Sequence, residues 1–177
     1  RFSSSDSRAG RSHQSAFFCP MRSENWRFIA SLRSQGVKPS TFAVPLARGC
    51  SVLAAEGDRA AIMALKAAAT RARLPVEVQH RDLFRNPLRP EELAGFDGVL
   101  LDPPRAGARA QVEQLAASGV GRIVYISCNP SSWSRDAALL VAAGYRLAEV
   151  RPVGQFRWST HVELASLFLK SGDDAVV

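Results

Sequence analysis

The chain contains no long hydrophobic run. Nothing in its 177 residues approaches the ~18 consecutive apolar residues that cross a bilayer. The charged-then-apolar layout of a secretory signal is missing from the N-terminus as well. The expectation is a cytoplasmic protein with no membrane partner. Cysteine is scarce: Cys19, Cys50 and Cys128 are too few and too scattered for a disulfide framework. They show no Cys-x-x-Cys spacing, so no zinc or iron–sulfur site is expected, and no metal. An odd number of thiols in a reducing compartment leaves room for a reactive one.

Acids are short too, but unevenly. Residues 1–40 hold seven Arg or Lys against two acids, whereas residues 41–177 hold sixteen against fourteen. Most of the formal net charge of +7 therefore lies in the first segment. Either a patch for RNA phosphates or a solubilising tail accounts for it. That segment also holds ten Ser and no sustained period before Trp26-Arg-Phe-Ile-Ala-Ser-Leu32. Residues 1–24 are expected to be disordered or a remnant of something longer, 25–172 a catalytic domain, and 173–177 a tail.

What is present from residue 28 onward alternates. A first strand is expected at 28–32, and a helix at 41–47 that has to accommodate Pro45. Ser51-Val-Leu-Ala-Ala-Glu56 reads as a strand, and Asp58 as the N-cap of an Ala-rich helix to about residue 70. Strands follow at 75–79, 96–102 and 121–127, with helices at 108–118 and 131–143, the latter stopped by Gly144. Residues 145–153 and 161–170 are two strands with no helix between them, so they should pair antiparallel. The fold class expected is α/β: a doubly wound, mostly parallel sheet of Rossmann type with an antiparallel final strand.

In such a sheet, ligands bind beyond the carboxyl ends of the strands. Glu56, Asp102 and Cys128 stand at three of those ends. An acid there is often only a helix cap, and a lone Cys is often a small core residue; three together favour a site. Glu56 has the position of a carboxylate that accepts from ribose hydroxyls. Asp82, in His80-Arg-Asp-Leu83, is within reach of an adenine amino group or is simply a turn residue ahead of Pro87. Cys128 lies in Tyr125-Ile-Ser-Cys-Asn-Pro130, where Pro130 ends the strand and brings the thiol to the rim. A thiol with a reference pKa of about 8.5 needs help at neutral pH, and the dipole of the following helix can supply it. Glu163 shares a strand face with His161; among apolar neighbours it needs a task or a partner.

These stretches resemble the RNA 5-methyluridine methyltransferase family. Leu101-Asp-Pro-Pro-Arg-Ala-Gly107 is similar to its target-site loop. Ile123-Val-Tyr-Ile-Ser-Cys-Asn-Pro130, with Ser134-Arg-Asp136 and Gly144-Tyr145, is similar to its nucleophile segment. Phe156-Arg-Trp-Ser-Thr-His-Val-Glu163 is similar to its base segment, and Val52-Leu-Ala-Ala-Glu-Gly57 to its cofactor-ribose segment. Thr41 and Phe42 match the start of its first helix. RNA 5-methylcytosine enzymes carry a second cysteine where Arg105 follows Pro103 and Pro104 here.

The resemblance implies S-adenosyl-L-methionine as cofactor and a uridine of rRNA or tRNA as substrate. It implies Cys128 as nucleophile toward carbon 6 of the base and Glu163 as the base that removes the carbon 5 proton. Thr41, Phe42, Glu56, Asp82 and Asp102 are the implied cofactor residues, and a monomer is the expected state. The chain departs from the family in three places. The glycine-rich first loop is reduced to Gly36, Gly154 stands where an acid is usual, and no RNA-binding barrel or central insert is present. These departures predict a truncated or decayed copy. The alternative is therefore a non-catalytic remnant that binds RNA or a partner.

Overall fold

The computed structural model describes residues 27–32, 40–154 and 162–172. Twelve elements follow in chain order: β1 (Arg27–Leu32), α1 (Ser40–Leu46), β2 (Ser51–Glu56), α2 (Arg59–Ala72), β3 (Val76–His80), α3 (Pro90–Leu93), β4 (Gly98–Asp102), α4 (Arg109–Ala116), β5 (Arg122–Ser127), α5 (Pro130–Ala142), β6 (Tyr145–Gly154) and β7 (Val162–Lys170). The sheet has seven strands in the order β3-β2-β1-β4-β5-β7-β6. The β1–β2, β1–β4, β2–β3 and β4–β5 pairs are parallel, and β7 runs antiparallel to both β5 and β6. The expected α/β sheet with an antiparallel end is therefore present. The strand order reverses at β1, between β2 and β4, which puts the topological switch point there.

Strand alternation explains why both faces are covered. Along β4, Val99 and Leu101 join one core with Ile29, Ile123 and Tyr125, against Val112 and Leu115 of α4 and Leu140 of α5. Leu100 points the other way and joins Phe28, Ala30, Val52 and Ala54 against Ala43 and Leu65 of α1 and α2. All five β4 residues are buried, as a strand covered on both faces requires. Their continuous apolar character is the sequence mark of that position.

The caps set the boundaries. Asp58 accepts from the amides of Ala60 and Ala61 and starts α2 as expected. Pro130 does not end β5, which stops at Ser127. It is the first residue of α5, where its missing N–H costs nothing and its fixed φ is already helical. Asn129 is the cap, accepting from the Ser131 amide at 3.1 Å. Helix α4 is shorter than its pattern, because the Ser118 hydroxyl donates to the Leu115 carbonyl at 2.8 Å and accepts from Val120, closing the turn. Helix α3 was not expected; Pro90 begins it and Glu92 accepts from the Arg89 amide at 3.0 Å. Pro45 lies in the last turn of α1, where the helix is about to end anyway. Among the described residues no helix is long and apolar enough to cross a membrane.

Candidate active site at the carboxyl edge of the sheet

The strand registers line up the polar strand ends. Leu32 pairs with Asp102 across β1–β4, and Glu56 pairs with His80 across β2–β3. Neighbouring strands lie about 4.8 Å apart, so Glu56 and Asp102 flank the switch point with one strand between them. On β5–β7, Ile126 pairs with Ala165 and Ser127 with Leu164. Cys128 follows Ser127 just beyond the last paired position of β5, and Glu163 precedes Leu164 on β7.

Glu56 and Asp102 are 5% and 6% exposed. Such carboxylates need hydrogen-bond partners at these depths. Glu56 Oε1 accepts from the Asp58 amide at 2.8 Å. Beyond Glu56 opens a cleft walled by Gly57, Leu83, Phe84, Pro103, Pro104 and Ala108. Its make-up, apolar walls with one buried acid, is that of a small-ligand site. Asp102 adjoins the wall residue Pro103. Asp82 sits in a turn: its Oδ1 accepts from the Phe84 amide at 3.0 Å and its carbonyl from Asn86 at 2.8 Å. That turn presents Leu83 and Phe84 to the cleft.

Arg81 builds this wall from behind. It is 9% exposed. Its guanidinium donates to the carbonyls of Asn86 and Pro87, each at 2.8 Å, and to both oxygens of Glu92. The loop 82–89 is thus wrapped around one fixed fork of donors.

Cys128 is half-buried between the end of β5 and the capping Asn129. The amide of Asn129 donates to Ser127 Oγ at 3.1 Å. Glu163 is the second residue of β7 and is half-buried, opposite Val153. Its neighbours along the strand are the exposed Val162 and the half-buried Leu164. Gly154 ends β6 and is exposed. Thr41 and Phe42 are in α1; Phe42 packs partly buried against the Phe28 and Ala43 core and does not line the cleft. The side chain of Thr41, the loop around Gly36 and the stretch 155–161 with His161 lie outside the described residues.

The sequence reading missed the residues that tie these loops together. Three side chains of α5 and its cap hold the β4–α4 loop. Asn129 Nδ2 donates to the Arg105 carbonyl at 2.9 Å, Arg135 Nη2 to the Ala106 carbonyl at 2.8 Å, and the Ala108 amide to Asp136 Oδ2 at 2.7 Å. A signal existed for Asp136. It falls four residues from both Ser132 and Leu140, on the buried stripe of α5, where an acid has no place without a partner.

The model of the tRNA (uracil-5-)-methyltransferase family matches residues 80–171. An uncharacterized RNA methyltransferase of Zymomonas mobilis is 54% identical over 143 residues, which is 81% of this chain and 35% of that protein. The 23S rRNA (uracil(1939)-C(5))-methyltransferase of Yersinia enterocolitica is 39% identical over 132 residues, 73% of this chain and 30% of that protein. The chain spans about a third of the length of these curated relatives. The Pyrococcus abyssi tRNA (uracil-54, C5)-methyltransferase, solved with S-adenosyl-L-homocysteine, superposes with a TM-score of 0.69 at 27% identity, over 85% of this chain and 36% of that one. With more than half its length under the family model, and with the fold of a solved relative, the chain belongs to the tRNA (uracil-5-)-methyltransferase family.

Proposed function

We propose that this chain is the catalytic part of an S-adenosylmethionine-dependent methyltransferase acting on carbon 5 of a uridine in rRNA or tRNA. The observation that supports the reading is the β5–β7 pairing, which ends with Ser127 opposite Leu164, the residues next to Cys128 and Glu163 in the chain. A thiol and a carboxylate near the ligand edge of a sheet are the two groups that chemistry at the base requires. The family description names tRNA, and the Yersinia relative's name gives 23S rRNA.

The cleft beside Glu56 fits an adenosine. Leu83, Phe84, Pro103 and Pro104 offer apolar walls, and a carboxylate has acceptor sites enough to take ribose hydroxyls as well as the Asp58 amide. S-adenosylmethionine supplies the methyl group when bound. The rest falls to this chain's residues. The target base leaves its stack to reach a half-buried thiol. Cys128, as thiolate, forms a bond to carbon 6 of the uracil, and the electron pair of the ring double bond becomes available at carbon 5. Once carbon 5 carries the methyl group, Glu163 takes its proton. The pair left behind restores the ring double bond, and the carbon–sulfur bond breaks to return the thiolate.

Two measurements test this. S-adenosylhomocysteine should bind the purified chain in calorimetry, and Glu56→Ala should weaken it by about 10–100-fold, since hydrogen bonds to a charged group contribute about 1.5–3 kcal/mol. RNA containing 5-fluorouridine should form a covalent adduct that Cys128→Ala abolishes. Absence of both binding and adduct would transfer the reading to a non-catalytic remnant.

A further inference from the structure

The loop that follows Asp102 and the helix that follows Cys128 are separate in sequence and are joined by one acid. Asp136 has no exposed surface at all. Its Oδ2 accepts two hydrogen bonds, from the Tyr125 hydroxyl and from the Ala108 amide, both at 2.7 Å. Its Oδ1 lies 3.5 Å from Nε of Arg135. Tyr125 is wholly buried on β5, three residues before Cys128. Burial, and then the Asp136 hydrogen bond, push its phenol well above the usual range. It therefore keeps its proton and remains a donor at any working pH.

The loop is shaped to this acid. Residues 104–107 form a turn closed by the Gly107 amide on the Pro104 carbonyl at 2.9 Å. Gly107 has a φ of +89°, a region where side chains are strained. A Cβ there would stand 2.6 Å from Asp136 Oδ2 and 3.2 Å from Ser132 Cβ. The glycine thus admits the carboxylate to the loop backbone. Arg105, Ala106 and Ala108 are each bonded to α5 or its cap, and Pro103, Pro104 and Ala108 are the cleft wall.

We propose that Asp136 is a positioning residue: it locks the wall that follows Asp102 to the β5–α5 unit that presents Cys128, so that cofactor cleft and nucleophile keep one fixed spacing. This rests on the methyltransferase reading for its catalytic consequence, and on the hydrogen-bond geometry alone for the lock. Catalytic groups displaced by as little as about 1 Å lose on the order of a hundredfold in rate. An acid that holds two site segments together should therefore matter far more to turnover than to folding.

The test compares the whole chain with Asp136→Asn, which keeps the size but not the charge that draws both donors to one oxygen. Two quantities are read on protein shown to be folded. These are amide exchange at residues 106–108 and the rate of adduct formation with 5-fluorouridine RNA at saturating S-adenosylmethionine and RNA. The expected result is exchange at least tenfold faster at Ala108, with amides of β4 and β5 unchanged, and adduct formation at least tenfold slower. A role confined to stability would lower the melting temperature and leave both quantities at wild-type values, which would overturn the proposal. If Asp136→Asn does not fold, Tyr125→Phe removes one of the two donors and is read by the same criteria, with threefold as the threshold. If the wild type forms no adduct, the methyltransferase reading fails, and exchange at Ala108 still decides the lock: acceleration supports it and no change overturns it.

Discussion

Arg81 and Glu92 close the loop after β3 as a two-point pair, Nη1 to Oε1 at 2.5 Å and Nη2 to Oε2 at 2.9 Å. The Arg81 hydrogen bonds, and then the Arg89 amide, pull the Glu92 carboxyl down to about 2. A carboxylate depressed in the folded state contributes stability that is fully present above its unfolded value and is lost as pH falls toward the folded one. Denaturant unfolding of wild type and Glu92→Gln should therefore differ most above about pH 5 and converge toward pH 2. A difference that grows on acidification would contradict the pairing.

Arg81 should be the more sensitive partner. Removing it takes the guanidinium from Glu92, which keeps only the Arg89 side, and from the carbonyls of Asn86 and Pro87. Arg81→Met is expected to cost about 2–4 kcal/mol in urea unfolding. Arg81→Lys should recover little of it, because an ammonium cannot reproduce the planar fork.

Phe84 offers the opposite combination. It is 66% exposed yet lines the cleft, so it contributes little to the core. Phe84→Ala should leave unfolding free energy within about 0.5 kcal/mol of wild type. Loss of an aromatic face at the cleft should still weaken S-adenosylhomocysteine several-fold in calorimetry.

Ser166, fully buried on β7, accepts from the indole of Trp133 at 2.9 Å and donates to the Tyr125 carbonyl at 3.0 Å. Ser166→Ala strands the indole N–H and should cost about 1–3 kcal/mol. Ser166→Thr retains the hydroxyl and serves as the control for its hydrogen bonds.

Gly98 is the tightest point of the β1–β4 pair. It stands opposite Phe28, and a Cβ there would lie 2.3 Å from the ring. Gly98→Ala should destabilise by about 1–3 kcal/mol through overpacking, seen as a lower melting temperature. Adding Phe28→Leu should return part of the loss if the ring is the obstacle.

Periodicity carried most of the fold. Apolar runs at 51–56, 98–102 and 122–127, each followed by a helical stripe, dictate a parallel sheet covered on both faces, because only burial on two sides tolerates so few polar residues. Helix starts were legible where the cap is local, as at Asp58. They were misjudged where proline has two roles, as at Pro130, which ends nothing and begins α5. Helix α3 has four residues and is too short to show a period.

The candidate site divides in the same way. Glu56, Asp102 and Cys128 were legible because chain order alone assigns them to strand ends, and a doubly wound sheet gathers those ends at one edge. Only the tertiary structure decided that Asp82 caps a turn while Phe84 faces the cleft. Tertiary packing also pairs β7 with β5 and makes Arg81 and Asp136 the residues that hold the walls. Hydrogen bonds between positions 28 residues apart, such as Ala108 and Asp136, follow no sequence period. They exist only once α4 and α5 have packed on the same face of the sheet.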